Sequence, residues 1–274
     1  MSAFRVLNFS GGRQSTWLLE KLLRKEIQFR ELVFVLNANP GMERQRTLDV
    51  VKEYSKRCQQ AGIWFEVCKG PNLYEDIVNF RCHEHPPFYV RNEKGKIGKI
   101  SHRCTRQYKI FPIRRAIRRI CRNVYFTKKP WSKMVNQMIG FSAEEAHRIK
   151  TAKPSDPAYI ELSYPMIEMG VTVNDVVKDF KRWGVEMPSM SLCNGCFALG
   201  LREMKKMYEE GSRDWDQLVS IDRALAETVF DGLDGECFVS PTGFRVWELA
   251  GMNFELDSEI KTDKFMCNSG MCFV

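Results

Sequence analysis

Two short runs of this chain have the residue types and spacing for chemistry. Cys193 and Cys196 flank Asn194 and Gly195, and a glycine in such a bend lets two thiolates turn toward one metal or cluster. By itself this spacing serves zinc, an iron–sulfur cluster or a redox dithiol. The preceding Val185–Pro188 stretch lacks the βαβ context of a thioredoxin-like site. The second run is FSGGRQST, Phe9 to Thr16. Its glycines let main-chain N–H groups come close to a phosphate, and a helix N-terminus behind them adds partial positive charge. The hydroxyls of Ser10, Ser15 and Thr16 are available to the same anion. The loop is not a Walker A sequence, which has a longer glycine spacing and ends in Gly-Lys-Ser/Thr.

The elements needed to position these runs are legible. Arg5–Phe9 is an apolar strand pattern leading into Ser10, and Thr16–Arg24 has helical periodicity. Leu32–Leu36 reads as a second strand, Glu43–Ala61 as a long helix stopped by Gly62, and Ile63–Val67 as a third strand. Apolar strands alternating with helices predict an α/β fold with a parallel sheet covered on both faces. A helix from Pro112 to about Cys121 and a strand ending at Gly140 follow. Ser142 and Glu145 have the spacing of a capping box. Residues 150–158, with Pro154 and Pro157, are the best linker candidate. The expected division is a nucleotide-binding domain over residues 1–150 and a helix-rich region over 159–274, including an amphipathic helix over Val173–Trp183.

The chain of 274 residues is 44% hydrophobic and 28% charged, ordinary globular proportions. No apolar run approaches the ~18 residues of a membrane span, and the N-terminus lacks signal-peptide organisation. A cytoplasmic location is therefore expected, with no membrane partner. In that compartment thiols stay reduced, so clustered cysteines point to metal binding or chemistry. Of the ten cysteines, Cys58, Cys68 and Cys121 lie in segments that read as core. Cys82, His83 and His85, with His102 further on, lack a second pair at ligand spacing. They read as substrate-loop or surface residues.

The net charge of +8 comes from one segment. Residues 101 to 133 hold eleven Lys or Arg and no acidic residue, whereas the rest of the chain has 31 basic and 34 acidic residues. At about 100° per residue, Arg114, Arg115, Arg118, Arg119 and Arg122 share one side of the Pro112 helix, opposite an apolar stripe. Clustered guanidiniums suit the phosphates of nucleic acid. Lys128, Lys129 and Trp131 extend the patch with an aromatic able to stack on a base.

Five motifs in order, SGGRQS, NANPGMERQRTLDVV (Asn37–Val51), CTRQYKIFPI (Cys104–Ile113), GFSAEEAHRIK (Gly140–Lys150) and YPMIEMG (Tyr164–Gly170), resemble those of the PP-loop (N-type) ATP pyrophosphatases. Within that superfamily the chain is most similar to the phosphoadenosine phosphosulfate reductase-like branch, which includes DNA phosphorothioation sulfurtransferases and phage proteins. The resemblance covers most of the chain. It implies an adenine nucleotide α-hydrolase-like (Rossmann-like) core that binds ATP over Ser10, Gly11, Gly12, Arg13, Gln14, Ser15 and Thr16. Asn37, Asn39 and Gly41 would lie by the adenosine, with further contacts at Gly140 and Ser142. It implies Cys104, Cys193 and Cys196 as thiolate ligands of a [4Fe–4S] cluster, zinc being the alternative. Cys267 or Cys272 would complete the cluster, or act as a tail nucleophile carrying sulfur, with a sulfur donor of cysteine desulfurase type. Many members carry Asp where this chain has Gln14. Mg²⁺ would then rely on Glu43, Glu144 or Glu145, or be held mainly by the phosphates. Arg13 and Arg148 would stabilise developing charge.

The resulting expectation is ATP-dependent adenylation, forming AMP and pyrophosphate, coupled to sulfur transfer onto nucleic acid. The alternatives are reduction of a phosphosulfate nucleotide by a tail cysteine and a non-catalytic nucleotide- and nucleic-acid-binding subunit.

Overall fold

A computed structural model of the chain describes residues 2–79, 88–99, 104–149, 156–196, 198–227 and 235–255. Cys82, His83, His85, His102, Cys267 and Cys272 lie outside the described residues.

Strand β1 (Phe4–Asn8) leads into α1 (Arg13–Leu23), followed by β2 (Leu32–Ala38), α2 (Gln45–Gln60) and β3 (Trp64–Cys68). Next come α3 (Leu73–Val78), the short strands β4 (Tyr89–Arg91) and β5 (Ile97–Lys99), and a π turn, Arg106–Ile110, that opens α4 (Phe111–Asn123). Strand β6 (Val135–Met138), a 3-10 turn (Ala143–Arg148), β7 (Ile160–Ser163), α5 (Pro165–Glu168) and α6 (Val173–Trp183) follow. The chain continues through α7 (Leu201–Glu209), α8 (Arg213–Glu227), β8 (Glu236–Phe238) and α9 (Val246–Gly251).

The main sheet has the order β3-β2-β1-β6-β7 with every pair parallel. Side-chain alternation explains its two covers. Phe4, Val6, Phe34 and Leu36 face Ile113, Ala116, Ile117 and Ile120 of α4. Leu7 and Val35 face the other way, against Trp17, Leu18, Val51, Tyr54 and Phe180 of α1, α2 and α6. Period-2 strands between period-3.6 helices are what a doubly wound sheet requires, so the expected α/β class is observed. Cys58, Cys68 and Cys121 are buried as expected, and burial pushes the thiols of Cys58 and Cys68 up to about 11 and about 12.

The sheet does not end at the linker expected over residues 150–158. Strand β7 pairs with β6 over four residues, Val135 opposite Ile160 through Met138 opposite Ser163, and α6 packs into the same core as α1. A second core gathers Met42, Leu73, Ile77, Tyr108, Met204, Leu218, Ile221 and Val246. It draws on segments from both sides of that linker, a non-local packing that composition along the chain does not encode.

Helix α6 is fixed to α1 through Glu26, which accepts from Lys21 at 2.7 Å, Arg182 at 3.0 Å and the Trp183 indole at 3.0 Å. Lys21 above all holds the Glu26 carboxyl down at about 2. A depressed carboxyl contributes stability that is complete above its unfolded value near ~4.3 and lost as pH falls toward the folded one. Glu26→Gln is therefore expected to cost about 1 kcal/mol at neutral pH, as for a networked surface pair. In thermal melts the gap between wild type and variant should shrink as pH falls from about 4.3 toward 2. A constant gap would remove the ionic explanation.

Candidate nucleotide and cysteine site

The sheet reverses its winding direction between β1 and β6, and in open α/β sheets ligands bind in the crevice at the carboxyl ends of the strands at such a switch point. The SGG loop leaves β1 there, and Gly140 follows β6. A small cleft lies between them, lined by Ser10, Gly12, Gln14, Ser15, Gly140, Phe141, Glu145, Arg148, Met190 and Ser191.

The loop is held by its own hydroxyls. Ser10 N–H donates to Ser15 Oγ at 3.2 Å, Gly12 N–H to Ser10 Oγ at 3.3 Å, and Ser15 Oγ to the Gly12 carbonyl at 3.1 Å. Gly11 has φ +73, and a Cβ there would sit 3.1 Å from Thr47 Cγ2. A Cβ on Gly140 would stand 3.0 Å from Ser15 N, so only glycine lets the end of β6 approach the helix start this closely. Helix α1 begins with no side-chain cap and no acidic residue in its first turn. Its first N–H groups and dipole are thus uncompensated. Arg13 is not among the residues lining the cleft, and its buried Nε has no hydrogen-bond partner among the described residues.

Not every residue expected to touch nucleotide lies in the cleft wall. Thr16 is fully buried behind it. Asn37 donates from Nδ2 to the Phe9 carbonyl at 2.8 Å, and Asn39 accepts from Gly41 N–H at 2.8 Å. Gly41, at φ +82, leaves room for Asn72, whose side chain a Cβ would strike. These three shape the loop after β2. Ser142 is buried, and its N–H and hydroxyl both donate to Glu145, at 3.2 and 3.1 Å, so the capping expected from the sequence is present.

The residue at the anomalous position explains itself through a distant partner. Gln14 Nε2 donates to Glu145 Oε2 at 3.1 Å, and Arg148 pairs with the other oxygen of the same carboxylate. The one carboxylate in the cleft wall therefore touches the side chain that stands where many resembling sequences carry Asp. Glu144 turns away to cap Val173 N–H at 3.0 Å.

The cysteine turn lies beside the glycine loop. A Cβ on Gly12 would be 3.1 Å from Ser191 N. Ser191 Oγ donates to Glu43 Oε2 at 3.3 Å, while Glu43 Oε1 accepts from Lys109 Nζ at 2.8 Å and lies 3.6 Å from Cys193 Sγ. Glu43 is placed by an isolated bridge to Cys193 and by Asn194 N–H bonding the Met42 carbonyl at 2.7 Å. Arg44 anchors the same loop to Glu203 at 2.6 Å. Lys109 comes from the π turn before α4, a distortion that recurs at functional positions. Cys196 closes the turn, its N–H reaching the Cys193 carbonyl at 3.2 Å, with Gly195 at φ +71.

Burial pushes the thiols of Cys104, Cys193 and Cys196 up, to about 11 for Cys196. The three lie within electrostatic range of one another and of Lys109. Burial opposes a charge on Lys109, and interaction with Cys193 and the ion pair with Glu43 more than reverse that. Cys104, Cys193 and Cys196 thus share one neighbourhood. Among the described residues, however, no three Cys, His, Asp or Glu side chains form a group able to hold a metal ion. Sulfur-only donors beside a lysine suit a cluster or zinc in chemistry, and the ligand set is not closed.

The basic helix differs from the expected bare row of guanidiniums. Arg114 pairs with Asp156 at 2.6 Å, Arg118 donates to the Tyr159 hydroxyl at 3.1 Å, and Arg119 pairs with Glu66. All three partners lie outside the acid-free segment, where charge counting along it could not find them. Arg115, Arg122, Lys128 and Lys129 remain exposed. No helix of the described residues is long and apolar enough to cross a membrane.

Sequence motifs did not single out Ser191, Met190 or Lys109. Ser191 and Met190 carry no signal beyond standing just before the CxxC. Lys109 was visible only as a lysine inside a motif.

No protein-family model matches the sequence, and no curated protein matches it. Among solved structures, the chain is similar to the U34-tRNA thiolase NcsA from Methanococcus maripaludis with its [4Fe-4S] cluster. The two are 13% identical over 86% of this chain and 77% of that one, with a TM-score of 0.45. The chemistry considered below rests on the side chains already described, not on that likeness.

Proposed function

We propose that the chain is an ATP-dependent enzyme that adenylates a nucleic-acid acceptor and transfers sulfur to it, as a PP-loop sulfurtransferase of the phosphoadenosine phosphosulfate reductase-like branch. The observation that carries this reading is the contact between the two chemical runs. Gly12 lies against Ser191, and Ser191 leads through Glu43 to Cys193.

In this reading the N–H groups at the start of α1, with Arg13, hold the phosphates of ATP, and Arg148 neutralises charge as pyrophosphate leaves. An acceptor oxygen attacks the α-phosphorus in line and the bond to pyrophosphate breaks. The outer sulfur of a cysteine persulfide then attacks the activated acceptor atom as its bond to the AMP oxygen breaks, and a second thiol cleaves the S–S bond, leaving a disulfide and the thiolated acceptor. Glu145 would hold Mg²⁺ together with phosphate oxygens, since that ion needs only one or two carboxylates beside a nucleotide. Cys104, Cys193 and Cys196 would hold a [4Fe–4S] cluster, which supplies a site for sulfur chemistry. Thiolates form as metal displaces their protons. The tail cysteines Cys267 and Cys272 are the candidates for a fourth ligand or a sulfur carrier, loaded by a desulfurase-type donor.

The reaction is tested with α-labelled ATP, anaerobic protein and single-stranded RNA or DNA. AMP and pyrophosphate in equal amounts support the reading. Sulfite release from a phosphosulfate nucleotide without ATP cleavage would replace it with reduction, and tight ATP binding without turnover would leave a binding subunit. Glu145→Gln is expected to lower pyrophosphate release by one to two orders of magnitude, about 1.4–2.7 kcal/mol of barrier, and to weaken Mn²⁺ binding to the ATP complex. Unchanged Mn²⁺ affinity would assign the metal to the phosphates alone.

A further inference from the structure

We propose that residues 122–133, at the far end of α4 from the cleft, form a platform for single-stranded nucleic acid. Unpaired bases stack on Phe126 and Trp131, while Arg115, Arg122, Lys128 and Lys129 take the phosphates. The proposal rests on the nucleic-acid reading above and specifies the form of that substrate and where it docks.

Three of the five arginines on α4 are already engaged by Asp156, Tyr159 and Glu66. The cations left for an external polyanion are concentrated toward the end of the helix and in the loop beyond it. The same loop carries two apolar rings turned to solvent, Phe126 between Arg122 and Lys128 and Trp131 just past Lys129. Phe126 is 89% exposed and Trp131 52%. Phe126 also has φ +50, and Lys133 in the same loop φ +56. A bulky aromatic in the left-handed region is disfavoured by sterics, and its exposure forfeits hydrophobic gain. Folding alone gives no reason for either.

The loop that presents these rings is anchored. Thr127 N–H bonds the Cys121 carbonyl at 3.0 Å, and Met134 N–H bonds the Trp131 carbonyl at 3.2 Å. Tyr125 stacks on Phe4 with centroids 4.8 Å apart and bonds the Ala3 carbonyl at 3.2 Å. Anchored rings among cations suit bases, whose faces are open only when unpaired.

Helix α4 begins near the cleft, where Pro112 packs at Gly70 and Lys109 reaches Glu43. It ends beside Phe4 at the start of β1, so it runs antiparallel to the strands. Its 13 residues cover about 20 Å at ~1.5 Å per residue. At ~3.4 Å per stacked nucleotide, roughly six nucleotides separate the platform from the cleft end of the molecule. A strand that stays stacked between the two places spans about that many nucleotides.

The test uses full-length protein and a fluorescein-labelled strand of about twelve nucleotides, twice that span, as RNA, as DNA and as the matching duplex, without ATP. Both single strands are expected to bind more tightly than the duplex, and the tighter of the two identifies the natural source. Phe126→Ala with Trp131→Ala should weaken strand binding at least tenfold. Lys128→Gln with Lys129→Gln should lower the salt dependence by about 1.4 in slope. All four side chains are exposed, so an unchanged melting temperature checks that the variants fold. Strand quenching of fluorescence that disappears in Trp131→Phe places a base on that ring. Duplex binding as tight as strand binding, strand affinity unchanged in the aromatic double variant, or no binding of any nucleic acid overturns the platform. Strand binding with no AMP formation sinks the adenylation reading and leaves the platform standing.

Discussion

Gly12→Val is expected to weaken ATP binding at least a hundredfold, close to ~2.7 kcal/mol, while the protein stays folded. Gly12 has φ −88 and ψ 166, an extended conformation that valine adopts without strain. The expected effect is therefore steric. The new Cβ would stand 3.1 Å from Ser191 N and 3.2 Å from Ser191 Cβ, and the branch beyond it would crowd the cleft that Gly12 and Ser191 line. The backbone of Ser191 would have to move, taking with it the residue that bonds Glu43. Gly62 provides the contrast. It has φ +70, and nothing lies within 4 Å of its missing Cβ, so Gly62→Ala should cost about 1 kcal/mol of stability through strain and leave ATP affinity alone. Calorimetric titration of ATP into both variants separates the cases. Equal affinity in Gly12→Val and wild type would place the nucleotide elsewhere.

The second large effect concerns metal. Anaerobically purified wild type is expected to absorb broadly near ~400 nm with matching iron and sulfide, and Cys193→Ser to lose both. Cys193 is the thiol most closely tied to the rest of the site, 3.6 Å from the carboxylate that also binds Lys109. Cys58→Ser should keep the full iron content, since Cys58 lies among Leu18, Val51 and Tyr54 in the core under the sheet. Stoichiometric zinc in place of iron would assign the same thiols to a different ion, and iron retained in Cys193→Ser would remove that residue from the ligand set. Cys104→Ser and Cys196→Ser, read the same way, test the remaining ligands.

The sequence was most informative where function depends on local chemistry. The SGG loop could be read because glycines, hydroxyls and a helix start must be adjacent in the chain to form an anion site. The layers of the sheet were legible for a similar reason, since Val6 and Leu7 must point to opposite faces whatever else surrounds them. Pairings across long separations were not legible. Gln14 and Glu145 are 131 residues apart, and only folding reveals that the amide at one position rests on the carboxylate at the other. Glu66 and Asp156 blunt the arginine row from outside it. Strand β7 follows a proline-rich stretch that reads as a linker, and its place in the sheet is fixed by register with β6, which composition does not encode. Asn37 and Asn39 likewise make bonds that their motif does not show, Asn37 to the Phe9 carbonyl and Asn39 from Gly41 N–H.

The geometry gives the site a division of labour. Helix α1 and the end of β6 form the cleft, the loop after β2 contributes Glu43, and the π turn before α4 contributes Lys109. The CxxC turn meets all of them from the side of the second core, where Gly195 lies 3.4 Å from Met42 and Ile221 measured from its missing Cβ. Buried ionic groups such as the Glu43–Lys109 pair are costly to break from one side. Losing either partner should therefore disturb the cleft and the cysteine turn together.

The central claim is that bound ATP and the clustered thiols share one site. The electron paramagnetic resonance spectrum of the reduced, iron-loaded protein, recorded with and without saturating ATP, tests this most directly. ATP is expected to shift the signal in wild type and to leave it unmoved in Gly12→Val. A wild-type spectrum identical in both conditions, with ATP shown to be bound, would mean that nucleotide and cysteines serve separate sites.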